Sequence, residues 1–253
     1  MVKSGAKQIL ERIKSISGGK VLDVCTGSGD FIQTLIQTLR DFVSFLGVDV
    51  SERDLEAGRK RFVGRPVEFR KMDARILKFE ENSFDTVTMA NSMHHLDEVG
   101  KALDEMKRVL KPRGHLIVNE PYCDGRQNDA QKTGILKHHW TSEIDSLLGI
   151  THHYTFTKKE IRKLFARLGL KDLETLDSAR YVKCLYCERM YECEDPRSEN
   201  HLKDVIKEID EDLERLKTRP EAGKLGQEGE RLKERIKKVG SADASSLFLI
   251  GTK

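Results

Sequence analysis

The stretch Val21-Leu-Asp-Val-Cys-Thr-Gly-Ser-Gly-Asp30 decides the fold of this 253-residue chain. Its first residues are apolar enough for a short buried strand, and apolar side chains at helical spacing follow from Phe31 to Leu39. Gly27 and Gly29 therefore lie in a turn between a strand and a helix. Two glycines there let a ligand approach the backbone without meeting a Cβ atom, and the helix N-terminus favours a negative charge. The stretch predicts a ligand-binding loop.

Strands and helices alternate along the chain around this loop. Strands are predicted between helical patterns, at 42–48, 67–69, 84–90 and 115–118. Such alternation implies a parallel sheet with right-handed crossover connections. Polar side chains stand at or near the strand ends, namely Asp23, Asp49, Asp73, Asn91 and Glu120. Because a parallel sheet binds ligands beyond the carboxyl ends of its strands, these residues indicate a site.

The residues around the loop distinguish two kinds of cofactor. A nicotinamide dinucleotide site would have a third glycine where this chain has Ile32. Asp23 would repel a pyrophosphate, whereas a cofactor with an amine and a sulfonium would be attracted to it. Asp49 ends the second strand, 22 residues after Gly27, where a carboxylate can accept hydrogen bonds from both ribose hydroxyls. A positively charged cofactor is favoured, and a nicotinamide-dependent oxidoreductase is the alternative.

The loop Asp23-Val-Cys-Thr-Gly-Ser-Gly29 resembles the D/E-x-x-x-G-x-G loop of class I methyltransferases, which use S-adenosylmethionine. Further segments resemble the same family in the same order, namely Asp49, Met72-Asp73-Ala74, Phe84 to Leu96, and Arg108-Val-Leu-Lys-Pro-Arg-Gly-His-Leu116. The resemblance covers roughly residues 18–120 and is closest to the branch of the menaquinone and ubiquinone methyltransferases. It implies an α/β fold with a Rossmann-like, doubly wound sheet, mostly parallel with an antiparallel last strand.

The resemblance also implies the cofactor, S-adenosylmethionine, and its product, S-adenosylhomocysteine. The cofactor-binding residues that it implies are Asp23, Thr26, Gly27, Ser28, Gly29, Asp49, Val50, Asp73, Ala74 and Asn91. The implied activity is in-line transfer of a methyl group, and we expect a small-molecule acceptor. A non-catalytic scaffold that retains the cofactor is the alternative.

Residues 121–156 break the alternation and are rich in histidine. We expect this segment to form a lid that builds the acceptor pocket, because it follows the fifth strand and is too long for a simple connection. Histidine suits removal of a proton from the acceptor near neutral pH. The candidate bases lie in three histidine pairs, His94-His95, His138-His139 and His152-His153, of which we favour His95, His139 and His153. The histidine pairs could also bind a metal together with Glu120, Glu143 or Asp145, but no metal site is predicted.

Two features lie closer to the C-terminus. Cys184, Cys187 and Cys193 with His201 have an incomplete zinc-site spacing, and buried core cysteines are the favoured interpretation. Apolar side chains at helical spacing predict a helical hairpin at 199–240, before the last strand. Its narrow apolar seam suits either a homodimer contact or packing on the same chain.

Composition limits the partners. The formal net charge is +3 and acidic and basic residues are interleaved, which disfavours nucleic acid as a partner. No run of 18 apolar residues is present, and the N-terminus lacks the apolar core of a signal peptide. We therefore expect a single cytoplasmic methyltransferase domain spanning 1–253, without membrane segments.

Overall fold

A computed structural model describes residues 5–178, 195–217, 219 and 222–253. The three cysteines of the suggested zinc spacing lie outside the described residues. Within the described ranges, no helix combines the length and the apolar character needed to cross a membrane.

Seven strands form one sheet. They are β1 Lys20–Val24, β2 Ser44–Asp49, β3 Val67–Lys71, β4 Phe84–Ala90, β5 Leu110–Pro121, β6 Lys171–Asp177 and β7 Ser246–Thr252. Their order in the sheet is β3-β2-β1-β4-β5-β7-β6. Strands β1 to β5 pair in parallel, and β7 is antiparallel to both β5 and β6. The predicted doubly wound, mostly parallel sheet with an antiparallel last strand is confirmed.

In the part of the chain that the structure describes, eight helices and one short 3₁₀ turn accompany these strands. The helices are α1 Gly5–Lys14, α2 Asp30–Thr38, α3 Glu52–Arg61, α4 Val99–Val109, α5 Asp129–Leu147, α6 Lys158–Ala166, α7 Glu199–Leu216 and α8 Gly223–Val239. The 3₁₀ turn is Met93–His95, directly after β4. The chain order of the strands reverses between β1 and β4, so this end of the sheet is the expected place for a ligand.

Apolar side chains cover both faces of the sheet. One buried cluster contains Met89 of β4 with Leu103 of α4 and Phe165 of α6. The other contains Ile13 of α1 and Ile32 of α2. Because helices cover both faces, the strand ends remain as the place where polar side chains can meet.

A third apolar cluster joins α5 to the helical hairpin. Trp140 and Ile144 of α5 are buried against Ile209 of α7 and Ile236 of α8. The indole nitrogen of Trp140 donates a hydrogen bond to the carbonyl of Leu225 over 2.8 Å. The apolar seam of the hairpin therefore packs on the same chain, which was one of the two sequence interpretations.

Candidate functional site

The two glycines of the loop between β1 and α2 have different roles. Gly27 has a φ of +52° and Gly29 a φ of +86°, a backbone region that side-chain-bearing residues rarely adopt. A Cβ atom on Gly27 would meet no heavy atom within 4 Å, so the space in front of it is open. A Cβ atom on Gly29 would lie 2.7 Å from the ring of Phe62. Gly27 leaves room for a ligand, and Gly29 lets Phe62 pack behind the loop.

Asp49, at the end of β2, organises the rim of this open space. One carboxylate oxygen accepts a hydrogen bond from the amide of Gly27, and the other accepts from the amide of Ser51, both over 2.9 Å. The ionised carboxylate has further lone pairs, which can accept from hydroxyl groups of a ligand. Its position fits the predicted contact with ribose.

Asp23, at the base of the same loop, is only 1% exposed. Its carboxylate accepts hydrogen bonds from the hydroxyls of Thr26 and Thr88, each over 2.6 Å. Burial raises the pKa of Asp23 to about 6, and the nearby charge of Asp49 adds to the rise, against the opposing effect of the two hydroxyls. A ligand that brings a positive charge to Asp23 would stabilise its ionised form.

Two adjoining cavities contain the predicted cofactor residues. The larger, about 540 Å³, is lined by residues that include Asp49, Val50, Asp73 and Ala74. The smaller, about 200 Å³, has a lining that includes Asp23, Thr26, Ser28 and Asn91. Gly27 and Cys25 line both cavities. The fold thus brings every predicted cofactor residue except Gly29 to two cavities that share Cys25 and Gly27, and Gly29 acts through packing.

The site also includes residues that sequence reasoning missed. Arg75 donates hydrogen bonds to both carboxylate oxygens of Asp73, at 3.0 and 2.7 Å, which holds the pKa of Asp73 below its usual range. Arg75 and Thr151 both line the larger cavity. Arg75 could have been found from its place beside Asp73. The position of Thr151 depends on how the segment 121–156 folds back, for which the local sequence carries no signal.

A third cavity, of about 470 Å³, lies beside the first two. Its lining includes Ile135 and His138 of α5, Val205 of α7 and Ala242 before β7. His95 lines this cavity and the larger cofactor cavity, whereas Asn91 lines this cavity and the smaller one. A molecule in the third cavity would therefore be next to a molecule in the other two.

The three predicted bases lie in different places. His95 stands at the boundary between two cavities, as described above. His139 donates to or accepts from the hydroxyl of Thr155 over 2.9 Å and stacks on the ring of Tyr154. His153 is exposed, and its ring lies 3.5 Å from Asp97. His139 and His153 are absent from the linings of these three cavities.

Neighbouring groups lower the pKa of His95. Desolvation and the adjacent rings of His94 and His152 disfavour its protonated form, although the side chain is open to solvent on one side. The imidazole is therefore neutral at pH 7 and can accept a proton or coordinate a ligand, and a role for His95 as a base stays a prediction.

Comparison with known proteins agrees with this arrangement. The profile of a family described as a methyltransferase domain matches residues 22–118. The demethylmenaquinone methyltransferase of Bacteroides fragilis is 30% identical over 122 residues, which cover 47% of this chain and 49% of that protein. The corresponding enzyme of Staphylococcus aureus is 36% identical over 115 residues, or 45% of this chain and 48% of that protein. The chain spans about half the length of the curated relatives it matches.

Solved structures extend the likeness of the fold to nearly the whole chain. A candidate methyltransferase of Bacillus halodurans is 19% identical, with a TM-score of 0.59 and 97% of each chain covered. Phosphoethanolamine N-methyltransferase 2 of Haemonchus contortus, solved with S-adenosyl-L-methionine, is 20% identical, with a TM-score of 0.56. The match covers 98% of this chain and 52% of that chain. The [4+2]-cyclase SpnF is 18% identical, with a TM-score of 0.57, and the match covers 97% of this chain and 78% of that chain. At these identities the likeness concerns the fold alone.

Proposed function

We propose that this chain, whose residues 22–118 match a methyltransferase domain, is a class I S-adenosylmethionine-dependent methyltransferase that transfers a methyl group to a small-molecule acceptor. One observation carries the proposal. The predicted cofactor residues line two joined cavities, and a third cavity meets them at Asn91 and His95. Transfer in line needs this adjacency of donor and acceptor, because the catalyst mainly aligns the two reactants.

The residues of the chain fit each part of the cofactor. Asp49, Asp73 and Ala74 line the larger cavity, and we expect Asp49 to accept from the ribose hydroxyls and Asp73 with Ala74 to contact the adenine. Asp23 is the buried acid beside which an ammonium group would be stabilised. When bound, the sulfonium supplies an electrophilic methyl group. The open face of Gly27, which a Cβ atom would fill, is where the cofactor comes close to the backbone.

We place the acceptor in the third cavity, with residues 121–156 as its lid. Helix α5 contributes Ile135, His138 and Thr141 to the lining, and Thr151 of the same segment reaches the larger cofactor cavity. A cavity of about 470 Å³ suits a small molecule. Because the curated relatives match over only part of their length, demethylmenaquinone is the first acceptor to test and not an assignment.

We also propose that the described elements form one methyltransferase domain, with the lid and the helical hairpin as additions to it. A homodimer through the hairpin stays a prediction. Because the seam of α7 and α8 packs on α5, such a dimer would have to use their other faces. The cytoplasmic location likewise stays a prediction from the sequence.

Two alternatives follow from the same fold. A nicotinamide-dependent oxidoreductase is disfavoured, because a pyrophosphate would approach the buried acid Asp23. A scaffold that binds the cofactor without methyl transfer would use the same cavities, since a fold does not determine the reaction.

Calorimetry followed by a transfer assay tests the proposal. The full chain is titrated separately with S-adenosylmethionine, S-adenosylhomocysteine and NAD, and we expect binding of the first two only. Equal or tighter binding of NAD would contradict the proposed cofactor. The chain is then incubated with methyl-labelled cofactor and a panel of acceptors that includes quinones, phenols, amines and thiols. Label transferred to one acceptor class supports the function, whereas cofactor binding without transfer to any class favours the scaffold.

A further inference from the structure

We propose that four histidines between the lid and the sheet bind a transition-metal ion of the Zn²⁺ type. The ligands are His94 and His95 of the 3₁₀ turn, His138 of α5 and His152 of the loop before α6. Three members of this histidine cluster, His94, His95 and His138, line the third cavity. The inference does not depend on methyl transfer, since it concerns only what these side chains coordinate.

Three of the rings bring ligand nitrogens close to one another, and the fourth ring, that of His138, adjoins one of them. One ligand nitrogen from each of His94, His95 and His152 lies within 4.8 Å of the other two. The Nε2 atom of His138 is 3.3 Å from the Nε2 atom of His152. Two nitrogens bound to a tetrahedral zinc at about 2.0–2.1 Å stand about 3.3–3.4 Å apart. A separation of 4.8 Å shortens to about 3.4 Å if each of the two nitrogens moves by less than about 1 Å.

Two carboxylates, the buried Glu120 and the partly buried Asp145, orient two of the rings. Glu120 accepts from Nδ1 of His94 over 2.5 Å, and Asp145 accepts from Nδ1 of His152 over 2.7 Å. In the tautomer that makes these hydrogen bonds, Nδ1 carries the proton and Nε2 presents a lone pair. A carboxylate that accepts from the second nitrogen is the usual companion of a metal-bound histidine, because it fixes the ring and raises its basicity.

The carboxylates are themselves held in place. The other oxygen of Glu120 accepts from the backbone amides of Ser92 and Met93, each over 3.1 Å, and Glu120 is completely buried. Asp145 pairs with Arg215 of α7. Both acids therefore have partners besides a histidine, which keeps their geometry independent of a metal ion. This is the preorganisation that a binding site needs.

The neighbouring histidines of the lid do not share this environment. In the pair His138–His139, the second ring stacks on Tyr154 and bonds to the hydroxyl of Thr155, and its centroid is 6.1 Å from that of His138. In the pair His152–His153, the second ring is exposed beside Asp97. The chain thus offers a matched control at an adjacent position for two of the four proposed ligands.

A bound ion would link separate segments of the fold. Its ligands come from the turn after β4, from α5 and from the loop before α6, so the ion would tie the lid to the sheet. A backbone hydrogen bond from the amide of His153 to the carbonyl of His94, over 2.8 Å, already joins two of these segments. His94, His95 and His138 also line the third cavity, so a bound ion is reached from the acceptor side.

The test is metal binding by the full chain without an affinity tag. Chelator-treated protein is titrated with Zn²⁺ by calorimetry and with Co²⁺ by visible absorption. We expect one ion per chain and the intense absorption of tetrahedral Co²⁺, without a thiolate-to-cobalt charge-transfer band. The absence of that band distinguishes metal binding by the histidine cluster from metal binding by the cysteines at 184, 187 and 193. No binding at micromolar metal, or a thiolate band, would overturn the proposal.

Six variants then locate the ion. His152→Asn and His138→Asn are expected to weaken Co²⁺ binding at least tenfold, whereas His153→Asn and His139→Asn leave it unchanged. Asp145→Asn should weaken it by about 10–100-fold through the orientation of His152. Since a buried variant can unfold, His95→Ala is added, because this side chain is exposed. Equal affinity in His95→Ala and the unmodified chain, or in both members of a pair, refutes the assignment.

Discussion

Replacement of Asp23 by asparagine should stabilise the cofactor-free chain and weaken cofactor binding. The carboxyl of Asp23 is 1% exposed, and its two hydrogen bonds come from the uncharged hydroxyls of Thr26 and Thr88. Burial raises its pKa from 3.8 to about 6, a rise that corresponds to about 3 kcal/mol. The folded chain therefore retains this proton more strongly than the unfolded chain does.

The sign of the effect follows from linkage. A carboxyl with a raised pKa in the folded state contributes stability below its unfolded pKa, near 4, and that contribution is lost as the pH rises through about 6. At pH 7.5 the unmodified chain holds an ionised, buried Asp23, whereas Asp23→Asn has no charge there. We expect the variant to gain up to about 3 kcal/mol of unfolding free energy at pH 7.5. Between pH 5 and 7.5, the difference between the two proteins should grow by about 1.4 kcal/mol.

Urea unfolding of both proteins at pH 5 and 7.5 measures this double difference, because every other titrating group is common to them. Calorimetry with S-adenosylmethionine gives the functional half of the test. In the unmodified chain, affinity should rise about tenfold per pH unit up to about pH 6 and then level off, as Asp23 ionises. The variant should bind about 1.5–3 kcal/mol more weakly, the range for a hydrogen bond to a charged group. A stability difference that does not change with pH, or unchanged cofactor affinity, would refute the reasoning.

The remaining predictions concern the loop, the ribose contact and the hairpin. Gly27→Ala should lower stability by about 1 kcal/mol, since alanine is strained at positive φ, and should abolish cofactor binding. Gly29→Ala should lower the melting temperature further, because its Cβ atom meets an aromatic ring; equal losses would contradict the two roles. Asp49→Ala should weaken cofactor binding by about 1–3 kcal/mol in calorimetry, with Asp41→Ala, remote from the cavities, as the control. Replacement of α7 and α8 by a short glycine linker should leave the sheet folded, as measured by circular dichroism. It should also expose the single tryptophan, Trp140, so that its fluorescence shifts to the red. An unchanged fluorescence spectrum would show that Trp140 does not pack on the hairpin.

The sequence predicted the cofactor half of the molecule well because its signals are local. Apolar runs identify the strands, and helical spacing identifies the helices. The loop around Gly27 needs glycine because of its own backbone conformation, so this signal is local as well. Asp23, Asp49 and Asp73 were expected to meet because the carboxyl ends of parallel strands share one edge of a sheet. Asp49 and Asp73 line one cavity and Asp23 lines the neighbouring one, as that topology implies.

Helix α5 shows what the local pattern missed. Residues 129–147 form a continuous helix with buried side chains that include Ala130, Thr133, Trp140 and Ile144. A helix that packs against the hairpin on one side and borders a cavity on another has no single apolar stripe. Its sequence therefore lacks the periodicity that identified the other helices, and only the tertiary packing specifies it.

The histidines show the same division between local and tertiary information. The sequence placed three His-His pairs near the site and named His95, His139 and His153 as candidate bases. Adjacent side chains on a helix or an extended loop point in different directions. At most one ring of each of the pairs 138–139 and 152–153 could therefore face the same centre. Which ring does so depends on how the lid folds back onto β4, through Glu120 and Asp145. The sequence by itself determined the sheet, the glycine loop and the acids at the strand ends, because each is encoded within a few neighbouring residues; the histidine cluster and the third cavity were decided by contacts between segments far apart in the chain.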